Sequence, residues 1–345
     1  MAESDRNEIY LSSSPHYSVP LTTSHVMFAV VTALLPIAAF GVWLYGIPAL
    51  VTIVVSVACT VGFEAGFRAL TKQDIRVGDY SAVITGLLLA LVLPPSTPVW
   101  MTVLGAFFSI VIAKEFFGGL GANVFNPALS GRAFLLVSFA TSLTKWTKPF
   151  TGLDAVSAAT TLSYVKPGEN PVLDAGAIAA KLGLTSAPDV YLKLFLGQRA
   201  GSIGESPVFL ILIAFVLLVA AKVIDWRAPV SMMATAVAVS WIAGIDPLIS
   251  LLSGGLVFGA VFMATDYATS PVTPMGRIIF GIGCGLITGL IRVAGGYPEG
   301  VMFSILIMNS VVPFLNRIIV KKYGWVKPAK PAKAAAAGAA QGGAK

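Results

Sequence analysis

Long apolar runs, punctuated by turn residues, dominate this chain. An α-helix needs roughly 20 apolar residues to cross the hydrocarbon of a bilayer. On that measure the pattern predicts spans at 26–46, 47–66, 80–94, 98–115 and 125–141, then at 207–224, 229–244, 247–264, 277–293 and 300–320. Five lie on each side of a less apolar stretch at 142–206, so about ten transmembrane helices are expected. Several are short or interrupted by Gly and Pro, as in "TGLLLALVLPPSTP" (85–98), which softens their ends. The expected units are an N-terminal cytosolic or interfacial segment (1–25), a first membrane repeat (26–141), an extracytoplasmic segment (142–206), a second membrane repeat (207–322) and a disordered cytosolic tail (323–345). The tail reads "KPAKPAKAAAAGAAQGGAK" from 327 to 345, a low-complexity composition that cannot bury a core.

Basic residues orient the spans. With the N-terminus inside, the inner loops receive Arg68, Lys72, Arg76, Lys114, Lys222, Arg227 and Arg277, and the inner C-terminal end receives Arg317, Lys321 and Lys322. The short outer turns are nearly free of Lys and Arg, Arg292 being the exception. The positive-inside rule then places both termini in the cytoplasm and 142–206 outside.

The two halves echo one another. Residues 93–134 and 269–314 each run from a Ser/Thr/Pro turn through an apolar span to a lone cation, Lys114 or Arg292, then Gly-Gly, then another apolar span. An odd number of spans per half inverts the second copy, giving two inverted five-helix repeats with a site between them.

Composition agrees and narrows the chemistry. The 345 residues are 56% hydrophobic and 11% charged, against about a quarter charged in a soluble domain, and the mean hydropathy is +0.84. The class is an all-α integral membrane protein. No short apolar region with a small-residue cleavage site precedes the first span, so an uncleaved N-terminus is expected. The two cysteines, Cys59 and Cys284, fall inside apolar spans and cannot hold an iron–sulfur cluster. Both histidines, His16 and His25, precede the first span, which excludes a haem held by a pair of intramembrane histidines. The net charge of +7 collects at span ends and in the tail rather than in a stripe, so no nucleic-acid partner is expected.

Four stretches carry most of the chemistry. "DAVSAATTLS" (154–163) places Asp154 ahead of Ser157, Thr160, Thr161 and Ser163 in the longest stretch that is not membrane-like. A threonine hydroxyl is a poor nucleophile unaided, and no His or Lys stands beside Thr160 to activate it. From the residues alone the segment is either a helix cap led by Asp154 or Ser157, or an uncrowded acceptor for an external transferase. "LSSSPHYSVP" (11–20) is an extended lead-in along the membrane surface. In "GGLGANVFNPALSGRAF" (118–134), Asn126-Pro127 should start a helix, with Arg132 one to two turns inside, where it needs a phosphate, a carboxylate or carbonyls. In "MATDYATSPVTPMGR" (263–277), Asp266 lies among Thr265, Thr269 and Ser270 at a helix end, a set of oxygens that suits a hard cation. Glu64 and Glu115 are the other acids at span ends. Their plainer roles are salt bridges, Glu64 with Arg68 four residues on and Glu115 with its neighbour Lys114. The three form a candidate ion path.

These motifs, together with "GGYPEGVMFSILIMN" (295–309), resemble a known family in order and spacing, from about residue 9 to 320. It comprises the D subunit of the Rnf electron-transport complex and the B subunit of the Na⁺-pumping NADH:quinone oxidoreductase. The early "SSSPH" favours the Rnf side. The resemblance implies a fold like that of the quinone-reducing relative and of urea transporters, in a bacterial or archaeal cytoplasmic membrane. It also implies that a D-x-x-(S/T)-x-A-T motif is flavinylated, a transferase joining the phosphate of FMN to the threonine hydroxyl. Asp154, Ser157, Ala159 and Thr160 occupy those positions; Ala158 replaces the commoner Gly and Thr161 the commoner Pro, leaving Thr161 as a competing acceptor. Asn126 and Arg132 join them as cofactor-binding candidates, and a second, non-covalent flavin (riboflavin in relatives) has room in this scheme. The implied partners are Rnf subunits A, B, C, E and G, a flavin transferase and membrane lipid. The chain would not be catalytic alone: it lacks a Rossmann fingerprint and a cysteine cluster, so neighbours would bind NAD and carry iron–sulfur centres. A small-solute channel or permease of the same architecture is the competing reading.

Overall fold

The computed structural model describes residues 22–150, 157–158, 187–295 and 299–319. Asp154, Ala159, Thr160 and Thr161, the "SSSPH" lead-in and the tail lie outside the described residues. The described chain is mostly helical and its one sheet has two very short strands.

Among the described residues four helical stretches are long and apolar enough to cross a membrane: α1 (Thr23–Tyr45), α2 (Ile47–Leu70), the stretch Val99–Phe117 that opens with α4 (Val99–Phe107), and α12 (Pro274–Ala294). Helices α1 and α2 form a hairpin through Gly46, whose φ of 71° suits a residue without a Cβ. Shorter apolar helices are α3 (Ser81–Val92), α5 (Pro127–Ser138), followed by the single turn α6 (Ala140–Leu143), then α8 (Val208–Ala220), α9 (Arg227–Ile242) and α13 (Val301–Ile319). Between α6 and α8 lie strand β1 (Trp146–Thr147), strand β2 (Ser157–Ala158) and helix α7 (Ala187–Leu196).

Two of the expected spans differ instructively. The run at 80–94 folds as α3, twelve residues or about 18 Å long, well short of the hydrocarbon thickness. It stops because Leu93 precedes Pro94 and adopts an extended backbone, with φ −87° and ψ 150°. The free carbonyls at its end find partners in the 142–206 segment: Gly204 N–H donates to Leu91 at 2.7 Å and Ile203 N–H to Leu93 at 3.2 Å. Part of a segment expected outside is therefore buried in the body, with Ser202, Ile203 and Ser206 inaccessible. Close approach requires glycine here, since a Cβ on Gly204 would lie 2.6 Å from Leu91 Cβ. Gly204→Ala is expected to cost about 1–3 kcal/mol by overpacking, read as a fall in the thermal unfolding midpoint. The control Gly62→Ala adds a Cβ that meets nothing within 4 Å. Equal midpoints for the two variants would contradict this packing.

The run at 247–264 is broken into α10 (Pro247–Leu252), α11 (Leu256–Phe258) and one π-helical turn (Gly259–Met263). The break falls at Ser253-Gly254-Gly255, where Gly254 has φ 66°. Irregular backbone at membrane depth is tolerated only where other groups satisfy it. Buried arginines do so: Arg292 donates to the Ser250 carbonyl at 2.6 Å and to that of Ser253 at 3.1 Å, and Arg199 donates to those of Leu252 and Gly254.

Helix α2 packs on α3 and α4, and α9 packs on α12 and α10. The halves meet where α1 packs on α8 and α5 packs on α13. With its amide oriented to satisfy both ends, Asn309 accepts from the Asn126 backbone N–H at 3.1 Å and donates to the Thr269 carbonyl at 3.2 Å.

Candidate functional site

A cleft of about 740 Å³ opens among α1, α3, α5, α8 and the π-helical turn. Small-ligand sites combine apolar walls with a few directed polar groups. Leu88, Leu218 and Phe262 belong to the apolar wall, while Ser81, Lys114, Asn123, Asn126 and Asp266 supply hydrogen-bonding groups.

The sequence places these groups by local rules. Asn126 caps α5, its Oδ1 accepting from Leu129 N–H at 3.2 Å, with Pro127 in the first turn. Asn123 donates to the Phe125 carbonyl at 3.1 Å. A π-helical turn at Phe108–Ile112 precedes Lys114, an insertion that often marks functional sites.

Lys114 is buried and anchors a ladder of alternating charge. Its Nζ lies 2.7 Å from Glu64 Oε2 and 2.6 Å from Ser81 Oγ. Arg68 lies 3.7 Å from the other Glu64 oxygen and grips Glu115 through two bonds of 3.2 and 3.3 Å. Two of the three ion-path candidates, Glu64 and Glu115, are thus committed to cations. Asp266 is not: among the described residues it joins none of these ion pairs, and its Oδ2 accepts from Thr269 Oγ1 at 3.0 Å. Thr265, expected beside it, turns its hydroxyl to the Val261 carbonyl of its own turn at 2.5 Å. Among the described residues no three His, Cys, Asp or Glu side chains gather as a metal site.

A second charged cluster lies at the other end of α1. Arg132 pairs with Glu299 at 2.8 Å and approaches Glu205 at 3.7 Å, giving it carboxylates among the three partner types expected of it. Tyr45, the last residue of α1, donates to the Arg199 carbonyl at 3.0 Å and bonds Ser206 Oγ at 2.8 Å. Phe28, near the start of α1, instead packs on Tyr80, which leads into α3. Helix α3 connects the two clusters: Ser81 at its start bonds Lys114, and Leu91 near its end accepts from Gly204, the neighbour of Glu205, so they lie about 18 Å apart along that helix.

Sequence reasoning missed Glu205 and Arg199, which are distant in sequence from most of what they touch. Arg292 did leave a signal as the lone cation in an outer turn. It is explained as a carbonyl ligand of the α10–α11 break rather than as a topological charge.

Of Asp154, Ser157, Ala159 and Thr160, only Ser157 lies within the described residues. It opens β2, which pairs antiparallel with β1 so that Thr147 faces Ser157 and Trp146 faces Ala158. This ribbon sits toward the Tyr45 end of α1, where Phe150 N–H donates to the Leu44 carbonyl at 2.8 Å.

Comparison with known proteins agrees with this architecture. Residues 10–324 match the family model described as "NQR2, RnfD, RnfE family". The chain is 43% identical to the D subunit of the Na⁺-translocating ferredoxin:NAD⁺ oxidoreductase complex of Acetobacterium woodii, over 95% of this chain and 100% of the relative. It is 42% identical to the D subunit of the proton-translocating ferredoxin:NAD⁺ oxidoreductase complex of Clostridium ljungdahlii, over 92% and 96%. To the D subunit of the ion-translocating oxidoreductase complex of Stutzerimonas stutzeri it is 38% identical, over 91% and 96%.

Proposed function

The chain belongs to the NQR2, RnfD, RnfE family, and from that membership we propose that it is the D subunit of an ion-translocating ferredoxin:NAD⁺ oxidoreductase complex, carrying electrons on flavin and contributing to the ion path. In this reading it has ten membrane elements in two inverted repeats, those at 80–94 and 247–264 short or broken, with both termini in the cytoplasm. It assembles with subunits A, B, C, E and G in the cytoplasmic membrane. Thr160 carries FMN through a phosphoester placed there by a transferase, with Asp154, Ser157 and Ala159 as its recognition residues.

The observation that carries the reading is the cleft beside Lys114. Its apolar walls and hydrogen-bonding groups suit a flat, largely apolar ring with a polar edge, so a second, non-covalent flavin fits its donor set. Asn123 and Asn126 would hold the polar edge. Lys114 would contribute positive charge, already balanced by Glu64. A flavin supplies a centre that accepts and passes on electrons. The protein's share is to exclude water around the ring with Leu88, Leu218 and Phe262, and to orient it.

Denaturing electrophoresis of the isolated complex under ultraviolet light tests the flavin subunit against a channel of the same architecture. This chain should fluoresce; a dark band would favour the channel.

Asp266 lines the cleft and forms no ion pair among the described residues, so it is the first candidate for ion uptake. Asp266→Asn is expected to lower Na⁺-stimulated turnover or charge movement while the fluorescent band persists. Unchanged ion dependence at normal turnover would reduce Asp266 to a helix-end residue. The relatives at 43% and 42% identity are named for different ions, so overall similarity does not choose between Na⁺ and H⁺. The same assay with Na⁺ omitted does.

A further inference from the structure

A second cavity, of about 1140 Å³, lies where the turn between α8 and α9 meets the segment leading into α12. Lys222, Asp225, Trp226, Arg227, Tyr267 and Arg277 are in its lining. Asp225 Oδ2 sits between two guanidiniums, 2.7 Å from Arg227 and 2.6 Å from Arg277. Burial pushes the Asp225 carboxyl up, but the Arg227 backbone N–H and the two guanidiniums outweigh it and hold the group below the usual carboxylate range. Asp225 therefore stays ionised and balances one of three cations. Among the described residues the other two charges are unbalanced. Both arginine side chains are about a third exposed, at 35% and 31%, and keep further N–H donors available. Lys222 is exposed and forms no ion pair among the described residues. It also holds a φ of 57° just after α8, where glycine is the usual residue.

Surplus positive charge repels a cation in transit, so this cavity is not the way to Asp266 for Na⁺ or H⁺; it selects an anion. The N-terminus of α9 opens onto it and adds a positive helix end. The apolar surroundings select an amphiphile. Trp226 is 51% exposed and Val272, in the wall, is 73% exposed, while Arg227 lies 5.6 Å over the Trp226 ring. Tryptophan beside cations at helix ends is the arrangement found at the headgroup level of a bilayer.

We propose that this cavity is a headgroup site for an anionic phospholipid, its phosphate held by Lys222, Arg227 and Arg277 and its chains lying along Trp226 and Val272. The test uses the intact complex in nanodiscs and a photoreactive phosphatidylglycerol, with phosphatidylcholine carrying the same photoreactive chain in parallel. Phosphatidylglycerol should label this chain on peptides bearing Trp226 or Val272. Lys222→Ala should weaken the labelling affinity about fivefold, the loss expected for one basic side chain at an anionic surface. Lys222→Glu should weaken it further and Lys222→Arg should restore it, with the fluorescent flavin band unchanged throughout.

Equal labelling by phosphatidylcholine, or undiminished labelling in Lys222→Glu, would overturn the proposal. Competition by millimolar inorganic phosphate as effective as that by unlabelled phosphatidylglycerol would make this a free-anion site instead. A cross-link from Lys222→Cys to a neighbouring subunit in the native complex would show that protein, not lipid, covers it.

Discussion

Thr160→Ala is expected to remove the proposed covalent flavin from this chain completely while the chain remains in the membrane. A phosphoester needs the hydroxyl oxygen, and alanine supplies none. In the proposed reading the acceptor must be open to a transferase, so the variant should change folding little, within about 0.5 kcal/mol. The measurement is in-gel fluorescence normalised to the amount of chain. Thr160→Ser keeps an oxygen and should retain part of the label, although it lacks the methyl group. Fluorescence undiminished in Thr160→Ala would move the acceptor to Thr161, next in the sequence. Loss of label in Thr161→Ala with full label in Thr160→Ala would settle that reversal.

The second large effect is in the charged ladder. Glu64→Leu leaves the Lys114 ammonium buried with only the Ser81 hydroxyl at 2.6 Å. Stranding a buried charge in this way costs about 3–5 kcal/mol, a large share of the roughly 5–15 kcal/mol that holds a folded domain. The yield of assembled complex and its unfolding midpoint should both fall sharply. Adding Lys114→Met removes the stranded charge and should recover most of the loss, because replacing both members of a buried pair by apolar groups is often neutral. Arg68 and Glu115 keep each other in both variants. A double variant no better than Glu64→Leu alone would mean that Glu64 matters for something other than neutralising Lys114.

Local rules made part of the site legible. Asn126-Pro127 reads as a helix start, and Asn126 caps α5. The i,i+4 spacing of Glu64 and Arg68 suggests a bridge, and one exists at 3.7 Å. The closer partner, Lys114 at 2.7 Å, comes from another helical stretch. Glu115 was legible as paired, but its partner is Arg68 rather than its neighbour Lys114. Adjacent residues on a helical stretch point in different directions, so adjacency in sequence was a poor guide to contact.

Composition and periodicity were enough to establish a helical membrane protein, with apolar runs separated by turn chemistry and cations gathered at span ends; the family was legible only in the order and spacing of its motifs. Composition and periodicity suffice for the class because hydrocarbon demands long apolar helices whatever their neighbours. Which runs are long enough to cross and which stop halfway was settled by tertiary contacts instead. A helix that ends inside the body must pass its free carbonyls to groups elsewhere in the chain. Gly204 and Ile203 take those of α3, and Arg199 and Arg292 take those of the α10–α11 break. Those partners lie tens of residues away, where no local spacing records them.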